Sequence, residues 1–378
     1  MIILGALMTF FYAGLILFLL FGFGKIPDYE AREAKVFRRF SIVIPFRNEA
    51  ENLQQLFQSL SQLKYQKGHF EIIFVNDASE DNSVVLCENF RRHNPEINIQ
   101  IIDSVRRWGA PKKDAITTAV EMAKNEYILT TDADCSVPEN WLLEFNSFIE
   151  EFKCRMIAAP VKIGKMGRQK EGFTRIFQEI DFLSLQGATI GGFGVEKPFM
   201  CNGANLCYEK YAFKEVNGFS GNENIASGDD LFLLEKFQKE GFKTEFLKSN
   251  RAVVSTLAQP GFKSLFFQRI RWAAKTSAYN NLFGKFIAIT VFLMNLLIVT
   301  GALAVISGYF PKDISLLFFL IKFNVDFVII YRTSVFFGTE NVLKNYFWCS
   351  FIYPVFSCLV AFFSLFLKFE WKGRSFKK

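Results

Sequence analysis

The sequence is poor in the residues on which several common classes of active site depend. It has only 2 histidines, His69 and His93, which argues against histidine-based triads and against most histidine-ligated metal sites. Its 7 cysteines contain no C-x-x-C pair, which favours free buried thiols in a reducing compartment over a disulfide framework. No long basic tract accompanies the net charge of +7, so nucleic acid is not expected as a partner.

Apolar residues, by contrast, are abundant. They make up 51% of the 378 residues, and 47 residues are phenylalanine, so a disordered chain is excluded. Composition alone is compatible with codon bias and with contact with lipid as the origin of the phenylalanine content. The length is typical of two or three domain-sized units.

Residues 1–24 are predicted to form a transmembrane anchor. No charged side chain occurs from Met1 to Phe23, and about 20 apolar residues suffice to cross the hydrocarbon core of a bilayer. Neither a basic n-region nor a small-residue cleavage site is present, so we expect an uncleaved anchor. Basic residues between Lys25 and Arg39 follow it, and the positive-inside rule places this flank in the cytoplasm.

Residues 281–368 contain three further apolar segments, at Phe286–Phe310, Ile314–Tyr331 and Tyr346–Leu367. Lys322 and Asp326 interrupt the second one; they are four residues apart and could pair on one helix face, as a functional feature or a simple packing pair. Three crossings from a cytoplasmic middle would place the C-terminus outside. The basic tail, residues 369–378, instead indicates the cytoplasm, so one segment is expected to be re-entrant or interfacial.

Between residues 40 and 258, short apolar runs alternate with helical periods. The sequence predicts strands at Ser41–Pro45, Glu71–Val75 and Glu126–Thr131, and helices at Leu53–Leu63 and Ala115–Lys124. This alternation predicts an α/β domain with a mostly parallel sheet and helices on both faces.

Each of these predicted strands runs into polar residues. Asn48 and Glu49 follow the first, Asp77 follows the second, and Asp132 and Asp134 follow the third. Ligands of such sheets bind beyond the carboxyl ends of the strands, so one crevice is expected to collect all five. The carboxylates of Asp132 and Asp134 are two positions apart, which suits Mg²⁺ or Mn²⁺ bound together with phosphates. A solvated loop could have the same sequence.

Three later segments have a chemical and a structural interpretation. Gly228–Asp230 opens a helical pattern, where a carboxylate could act as a base or only stabilise the helix N-terminus. Gln268–Trp272 lies in a basic aromatic stretch, residues 259–280, typical of an amphipathic helix at a membrane surface. Gly191–Gly194 matches neither a Rossmann fingerprint nor a phosphate loop, and is predicted to be a flexible loop.

Taken in order, these motifs resemble the membrane-bound family 2 glycosyltransferases with a GT-A catalytic fold. The motifs that carry the resemblance are Ile44-Pro45, Asn48-Glu49, Asn76-Asp77, Lys112-Lys113, Asp132-Ala-Asp134, Asn202–Leu206, Gly228–Asp230 and Gln268–Trp272. They extend over about residues 40–278. The resemblance implies a Rossmann-like α/β domain, mostly parallel and cytoplasmic, flanked by transmembrane helices.

The resemblance also implies a role for individual residues. The donor would be bound by Pro45, Asn48, Glu49, Asp77, Lys113 and Asp132. Asp132 and Asp134 would hold the metal, and Asp230 would be the catalytic base. The acceptor and the diphosphate would contact Gly203, Asn205, Asp229, Gln268, Arg271 and Trp272. Two residues depart from the family pattern, because Asn76 and Asp229 stand where relatives often have Asp and Glu.

The activity implied is inverting transfer of a sugar from a UDP- or GDP-sugar to a hydroxyl of a membrane-associated, lipid-linked acceptor, with Mg²⁺ or Mn²⁺. It would take place on the cytoplasmic side of the inner membrane, in the synthesis of a cell-envelope glycan or glycolipid. A processive polysaccharide synthase is an alternative, as is a catalytically silent scaffold that binds nucleotide-sugar. A transporter is disfavoured because the apolar segments are too few.

Overall fold

The computed structural model describes residues 2–32, 36–164, 172–223, 225, 227–274, 279–367, 369–371 and 374–376. The α/β region consists of β1 (Phe40–Phe46), α2 (Leu53–Ser61), β2 (Phe70–Asn76), α3 (Ser83–His93), β3 (Asn98–Asp103), α4 (Pro111–Met122), β4 (Tyr127–Thr130), β5 (Cys135–Ser136), α5 (Trp141–Phe152), β6 (Met156–Ala158), β7 (Val161–Ile163), α6 (Phe173–Gly194), β8 (Leu206–Glu209), α7 (Lys210–Glu215), α8 (Asp229–Lys239), β9 (Thr244–Phe246) and β10 (Val254–Thr256). It is preceded by α1 (Ile2–Lys25) and followed by α9 (Phe262–Ala274), α10 (Leu282–Ile306), α11 (Lys312–Phe337), α12 (Tyr346–Phe366), β11 (Phe369–Trp371) and β12 (Arg374–Phe376).

The main sheet has seven strands in the order β3-β2-β1-β4-β8-β6-β9. Strand β1 pairs in parallel with β2 and β4, while β8 runs antiparallel between β4 and β6. Apolar side chains of β1 contribute to two hydrophobic cores, one on each face of the sheet. Val43 lies in one core, and Ile42 and Ile44 lie in the other. This alternation is expected of a strand covered on both faces, and the predicted α/β class with a mostly parallel sheet is confirmed.

Four helices are long and apolar enough to cross a membrane. They are Ile2–Lys25, Leu282–Ile306, Lys312–Phe337 and the helical stretch Glu340–Phe366. The predicted pairing of Lys322 with Asp326 is confirmed, with 2.5 Å between Nζ and Oδ2. Of the C-terminal tail, strands β11 and β12 pair antiparallel. The predicted basic residues Lys368, Lys372, Lys377 and Lys378 lie outside the described residues.

Helix α9 covers part of the predicted amphipathic stretch, and the predicted residue Lys275 lies outside the described residues. Its aromatic side chains do not all face outward. Phe266 packs edge-on against Phe356 and Phe363 of α12, with ring centroids 6.0 and 5.8 Å apart. Phe267, by contrast, is exposed.

The prediction of a flexible loop at Gly191–Gly194 is wrong, because these residues form the last turn of α6. The glycines serve close contact between two helices. A Cβ atom at Gly194 would lie 1.8 Å from the carbonyl oxygen of Gly22 in α1, and one at Gly22 would lie 2.2 Å from that of Gly191. The anchor helix therefore packs backbone to backbone on a helix of the α/β region, as small residues permit elsewhere between membrane helices.

Candidate active site

A cavity of about 1470 Å³ opens beyond the carboxyl ends of β1, β2 and β4. Ten of the predicted site residues line it, namely Pro45, Glu49, Asp77, Asp132, Asp134, Asp229, Asp230, Gln268, Arg271 and Trp272. The parallel strands bring the first five together, and the N-terminus of α8 and one face of α9 supply the others. Of the five strand-end residues expected in one crevice, Glu49, Asp77, Asp132 and Asp134 line this cavity and Asn48 does not.

Asp77 lies at one end of this cavity, directly after β2. Its side chain is only 5% exposed, and one carboxylate oxygen contacts the guanidinium of Arg106. Arg47 donates to the backbone carbonyl of Asp77 at 2.9 Å. Asn48, in the left-handed region with φ of 50°, accepts a hydrogen bond from the Glu80 backbone amide at 2.8 Å. The loops after β1 and β2 are thereby held together.

Lys112, in the first turn of α4, occupies the centre of the acidic cluster. Its ammonium lies 2.7 Å from Asp132 and 3.3 Å from Asp229. One cation therefore links the loop after β4 to the first turn of α8. Burial alone would lower the pKa of Lys112, but Asp132 and Asp229 outweigh this and raise the pKa above its ordinary value. Lys112 therefore remains positively charged at neutral pH.

Asp229 and Asp230, adjacent in the first turn of α8, have different partners. Asp229 pairs with Lys112, whereas Asp230 accepts a hydrogen bond from the backbone amide of Gly203 at 3.1 Å. The carbonyl of Gly203 in turn accepts a hydrogen bond from Thr130 at 2.7 Å. A Cβ atom at position 203 would lie 2.9 Å from an Asp229 oxygen, so a larger residue there would displace the Asp229 carboxylate.

Helix α9 contributes a second cation. Burial lowers the pKa of the Arg271 guanidinium, while the carboxylates of Asp132 and Asp229 act in the opposite direction. Arg271 thus lies close enough to the acidic cluster to interact with it electrostatically. Two positive groups, Lys112 and Arg271, face the same set of carboxylates across the cavity.

Arg269, one turn before Trp272 on α9, holds side chains of the Gln268–Trp272 motif in place. Its guanidinium makes two contacts with one carboxylate oxygen of Asp181, at 2.7 and 2.6 Å. It also donates to Gln268 at 2.5 Å and lies 4.2 Å from the ring centroid of Trp272. One buried arginine therefore fixes the two side chains of the motif that flank it.

Four predicted site residues are not part of the cavity lining: Asn48 and Gly203, whose contacts are given above, and Lys113 and Asn205. Lys113 is fully buried, and its ammonium donates to the carbonyl and side-chain oxygens of Asn222 at 2.7 and 2.8 Å. Asn205 is also fully buried; its amide donates to two backbone carbonyls at 2.8 Å and its oxygen accepts from Trp141. These contacts are typical of structural residues.

Sequence reasoning missed Lys112, Arg269, Asp181 and Arg106 as parts of the site. For Lys112 the sequence contains a signal, because Lys112-Lys113 is one of the motifs that carry the family resemblance, and the start of α4 decides which of the two lysines faces the site. Arg269 and Asp181 are 88 positions apart, and no local pattern connects them.

A divalent cation is compatible with the residues present. Groups of three or more His, Cys, Asp or Glu side chains that could hold a metal are absent from the described part of the chain. Mg²⁺ and Mn²⁺ need only one or two carboxylates when substrate phosphates supply the other ligands. Asp134 and Asp132 line the cavity, and the side chain of Asp132 is 37% exposed, so both can serve such a mixed site.

Comparison with known proteins gives the same picture. The sequence profile of glycosyl transferase family 2 matches residues 41–213. The poly-β-1,6-N-acetyl-D-glucosamine synthase of Staphylococcus epidermidis is 25% identical over 234 residues, which is 62% of this chain and 53% of that protein. The poly(ribitol-phosphate) β-N-acetylglucosaminyltransferase TarS of Staphylococcus aureus is 26% identical over 130 residues, 34% of this chain and 22% of TarS. The chain thus spans between about a fifth and about half of these two relatives.

Among solved structures, mannosyltransferase PcManGT from Pyrobaculum calidifontis, in complex with GDP-Man and Mn²⁺, has a similar fold. The TM-score is 0.59 at 16% identity, with 97% of this chain and 99% of that chain covered. This likeness extends over the α/β region and the apolar helices alike, and it supports the GT-A fold expected from the motifs.

Proposed function

We propose that this chain, as a member of glycosyl transferase family 2, transfers a sugar from a nucleotide-diphosphate donor to a hydroxyl group of a membrane-associated acceptor. The transfer inverts the configuration at the anomeric carbon of the sugar. The observation that supports this most strongly is the single cavity. It collects Asp77, Asp132 and Asp134 at the strand ends and Asp230 at the N-terminus of α8, and it continues between apolar helices. Donor and membrane-borne acceptor can therefore meet in one space.

The proposed reaction is a single displacement. The acceptor oxygen forms a bond to the anomeric carbon, while the bond from that carbon to the diphosphate breaks and the nucleoside diphosphate leaves with the electron pair. Asp230 takes the proton of the acceptor hydroxyl as general base. The hydrogen bond that it accepts from the backbone amide of Gly203 orients the carboxylate.

The leaving diphosphate carries charge that must be balanced. Lys112 and Arg271 are fixed positive groups in the cavity and are suited to this task. Asp134 and Asp132 would hold Mg²⁺ or Mn²⁺ together with the donor phosphates, and such a cation supplies further charge stabilisation when bound. The Mn²⁺ named with PcManGT supports a divalent cation for this site as well.

The identity of the substrates is proposed at the level of class. UDP- or GDP-sugars are the proposed donors, because PcManGT is named with GDP-Man and the family profile covers the Asp77 end of the site. A lipid-linked acceptor is supported by the apolar helices that line the same cavity. The charge around α1 favours a catalytic domain on the cytoplasmic side of the inner membrane.

The test is transfer from a panel of radiolabelled nucleotide-sugars in membranes that contain the protein. Wild type should form labelled lipid product in the presence of Mg²⁺ or Mn²⁺ and lose this activity in excess EDTA. Asp134→Ala should abolish transfer while thermal unfolding of the purified protein is unchanged. Full activity in EDTA contradicts the metal site, and donor binding without any product would favour the scaffold interpretation.

A processive polysaccharide synthase is the second candidate. It is favoured by the similarity to the poly-β-1,6-N-acetyl-D-glucosamine synthase. The same assay separates the two candidates, because a synthase yields labelled polymer of increasing length, whereas a single transfer yields one lipid-sized product.

A further inference from the structure

A polar cluster lies inside the bundle of apolar helices. The ammonium of Lys322 is 2.5 Å from one oxygen of Asp326, and Tyr12 donates to the other oxygen at 2.5 Å. The same ammonium lies over the rings of Tyr12 and Tyr353, 5.5 and 5.4 Å from their centroids. We call Tyr12, Lys322, Asp326 and Tyr353 the bundle cluster. Ionisable groups among such helices are costly and usually functional.

The bundle cluster belongs to the same cavity as the catalytic carboxylates. All four of its side chains line the space that also holds Asp132 and Arg271. Lys322 itself is only 5% exposed, so its contact with solvent is restricted to this interior space. A molecule that occupies the cavity from the acidic end can therefore reach the bundle cluster without leaving the protein.

Part of the cavity wall is apolar. Residues from α1 and α10 form this part of the lining, among them Ile16, Leu19, Phe292 and Leu296. Such walls suit a hydrocarbon chain and offer nothing to the phosphates of a nucleotide. The donor is accounted for at the acidic end, so the occupant of the bundle end is the acceptor.

The charge of the bundle cluster restricts what that acceptor can be. An isolated lysine would attract a phosphate or a carboxylate. Here Asp326 neutralises Lys322 at contact distance, and an anionic group near the ammonium would also meet the Asp326 carboxylate. Tyrosine rings and a hydrogen-bonded ion pair instead match hydroxyl groups, which can both donate and accept.

We propose that the bundle cluster binds the headgroup region of a lipid acceptor, and that this headgroup is uncharged and carries hydroxyl groups. The proposal rests on the proposed glycosyl transfer to a membrane acceptor and specifies its substrate class. The hydrocarbon part of the lipid lies along the apolar residues of α1 and α10. The bundle cluster binds one hydroxyl of the headgroup, and another hydroxyl of the same headgroup reaches Asp230. A phosphate-bearing polyprenyl lipid is disfavoured by the same argument.

The experiment uses the full-length protein in liposomes with a labelled nucleotide-sugar. Two probes are offered as acceptors. One is a monoglucosyl dioleoylglycerol, whose sugar headgroup is uncharged and carries several hydroxyls, and the other is a polyprenyl phosphate. The variants are Asp326→Asn, Tyr353→Phe and the double variant Lys322→Leu with Asp326→Leu, which removes the ion pair but keeps the site apolar and need not unfold the bundle. Thr300→Val, a lipid-exposed position of α10 outside the cavity, is the matched control.

The wild type should glycosylate the monoglucosyl dioleoylglycerol in preference to the polyprenyl phosphate. Each cluster variant should raise the acceptor KM about tenfold, the effect of one or two lost hydrogen bonds, with the donor Kd and the acceptor-independent release of nucleotide unchanged. Thr300→Val should behave as wild type. Preference for the polyprenyl phosphate, transfer to neither probe, or an unchanged acceptor KM in all variants overturns the inference. Failure of the wild type to release nucleotide from any donor overturns the proposed function itself.

Discussion

At the residue scale, two neighbouring lysines of α4 have opposite surroundings. Lys112 is held between Asp132 and Asp229, whereas Lys113 is enclosed by Asn222 and lies 4.8 Å from the ring centroid of Phe232. The two positions therefore form a natural matched pair. The charge of Lys112 acts in the candidate active site, whereas the charge of Lys113 stabilises the fold.

We predict that Lys112→Met impairs donor binding and turnover without loss of stability, and that Lys113→Met does the reverse. Loss of Lys112 leaves like charges facing one another where the diphosphate must bind. Loss of the Lys113 ammonium leaves a buried carbonyl without its donor, at a cost of about 1–3 kcal/mol of unfolding free energy. Calorimetry of donor binding and thermal unfolding of both variants test this prediction. Weaker donor binding in Lys113→Met alone would reverse the assignment.

A second pair of neighbours tests the proposed base. Asp230→Asn keeps the shape of the side chain and its contact with Gly203 but removes basicity, so kcat should fall about 10²–10⁴-fold while donor binding survives. Asp229→Asn removes one ion pair of Lys112, and its main effect should be on donor affinity. Steady-state kinetics of the two variants side by side give the answer. A crippling effect of Asp229→Asn together with a nearly silent Asp230→Asn would exchange the roles.

At the element scale, the contact between α1 and α6 allows a sharp test of how the anchor docks on the catalytic region. Gly22→Ala would place a methyl group 2.2 Å from the carbonyl of Gly191, so the helices must separate, at a cost of about 1–3 kcal/mol. Gly14→Ala on the same helix meets nothing within 4 Å and should leave stability unchanged. Thermal unfolding in detergent should distinguish the two variants, and equal melting temperatures would show that the contact is unimportant.

The elements themselves were largely predictable, since apolar runs and helical periods determine most of them. The acidic residues were predictable for the same reason, because strand ends of a parallel sheet must meet. The errors have physical causes. Glycines at 191–194 have poor helix propensity, and only the close contact with α1 explains a helix there. The choice between Lys112 and Lys113 depended on where α4 begins, and it begins at Pro111, four residues before the predicted start.

At the scale of the whole molecule, the position of α12 bears on how many times the chain crosses the membrane. Length and composition alone allow α12 to span. The preceding helix α11 ends at the catalytic region, where Lys248 lies over the ring of Phe336 at 5.7 Å from the centroid. The C-terminal half of α12 packs on α9 through Phe363, and α9 also carries Arg271 into the active-site cavity. The chain therefore leaves the catalytic side at the end of α11, begins α12 against Phe323 and Phe327 in the middle of α11, and returns to the catalytic side in the second half of α12.

We predict that α12 does not cross, so that α1, α10 and α11 are the three spans and the C-terminus lies on the same side as the catalytic domain. Four crossings would place the C-terminus on the outer side together with the N-terminus, in conflict with the basic tail. Three crossings place the two termini on opposite sides of the membrane and remove this conflict. A single cysteine added after Lys378 should react with a membrane-impermeant maleimide only in inside-out vesicles, and one added before Ile2 only in right-side-out vesicles. The described native cysteines are buried or half-buried, so a variant with all native cysteines replaced is the required background. Labelling of both added cysteines from the outer face would show that α12 spans the membrane after all.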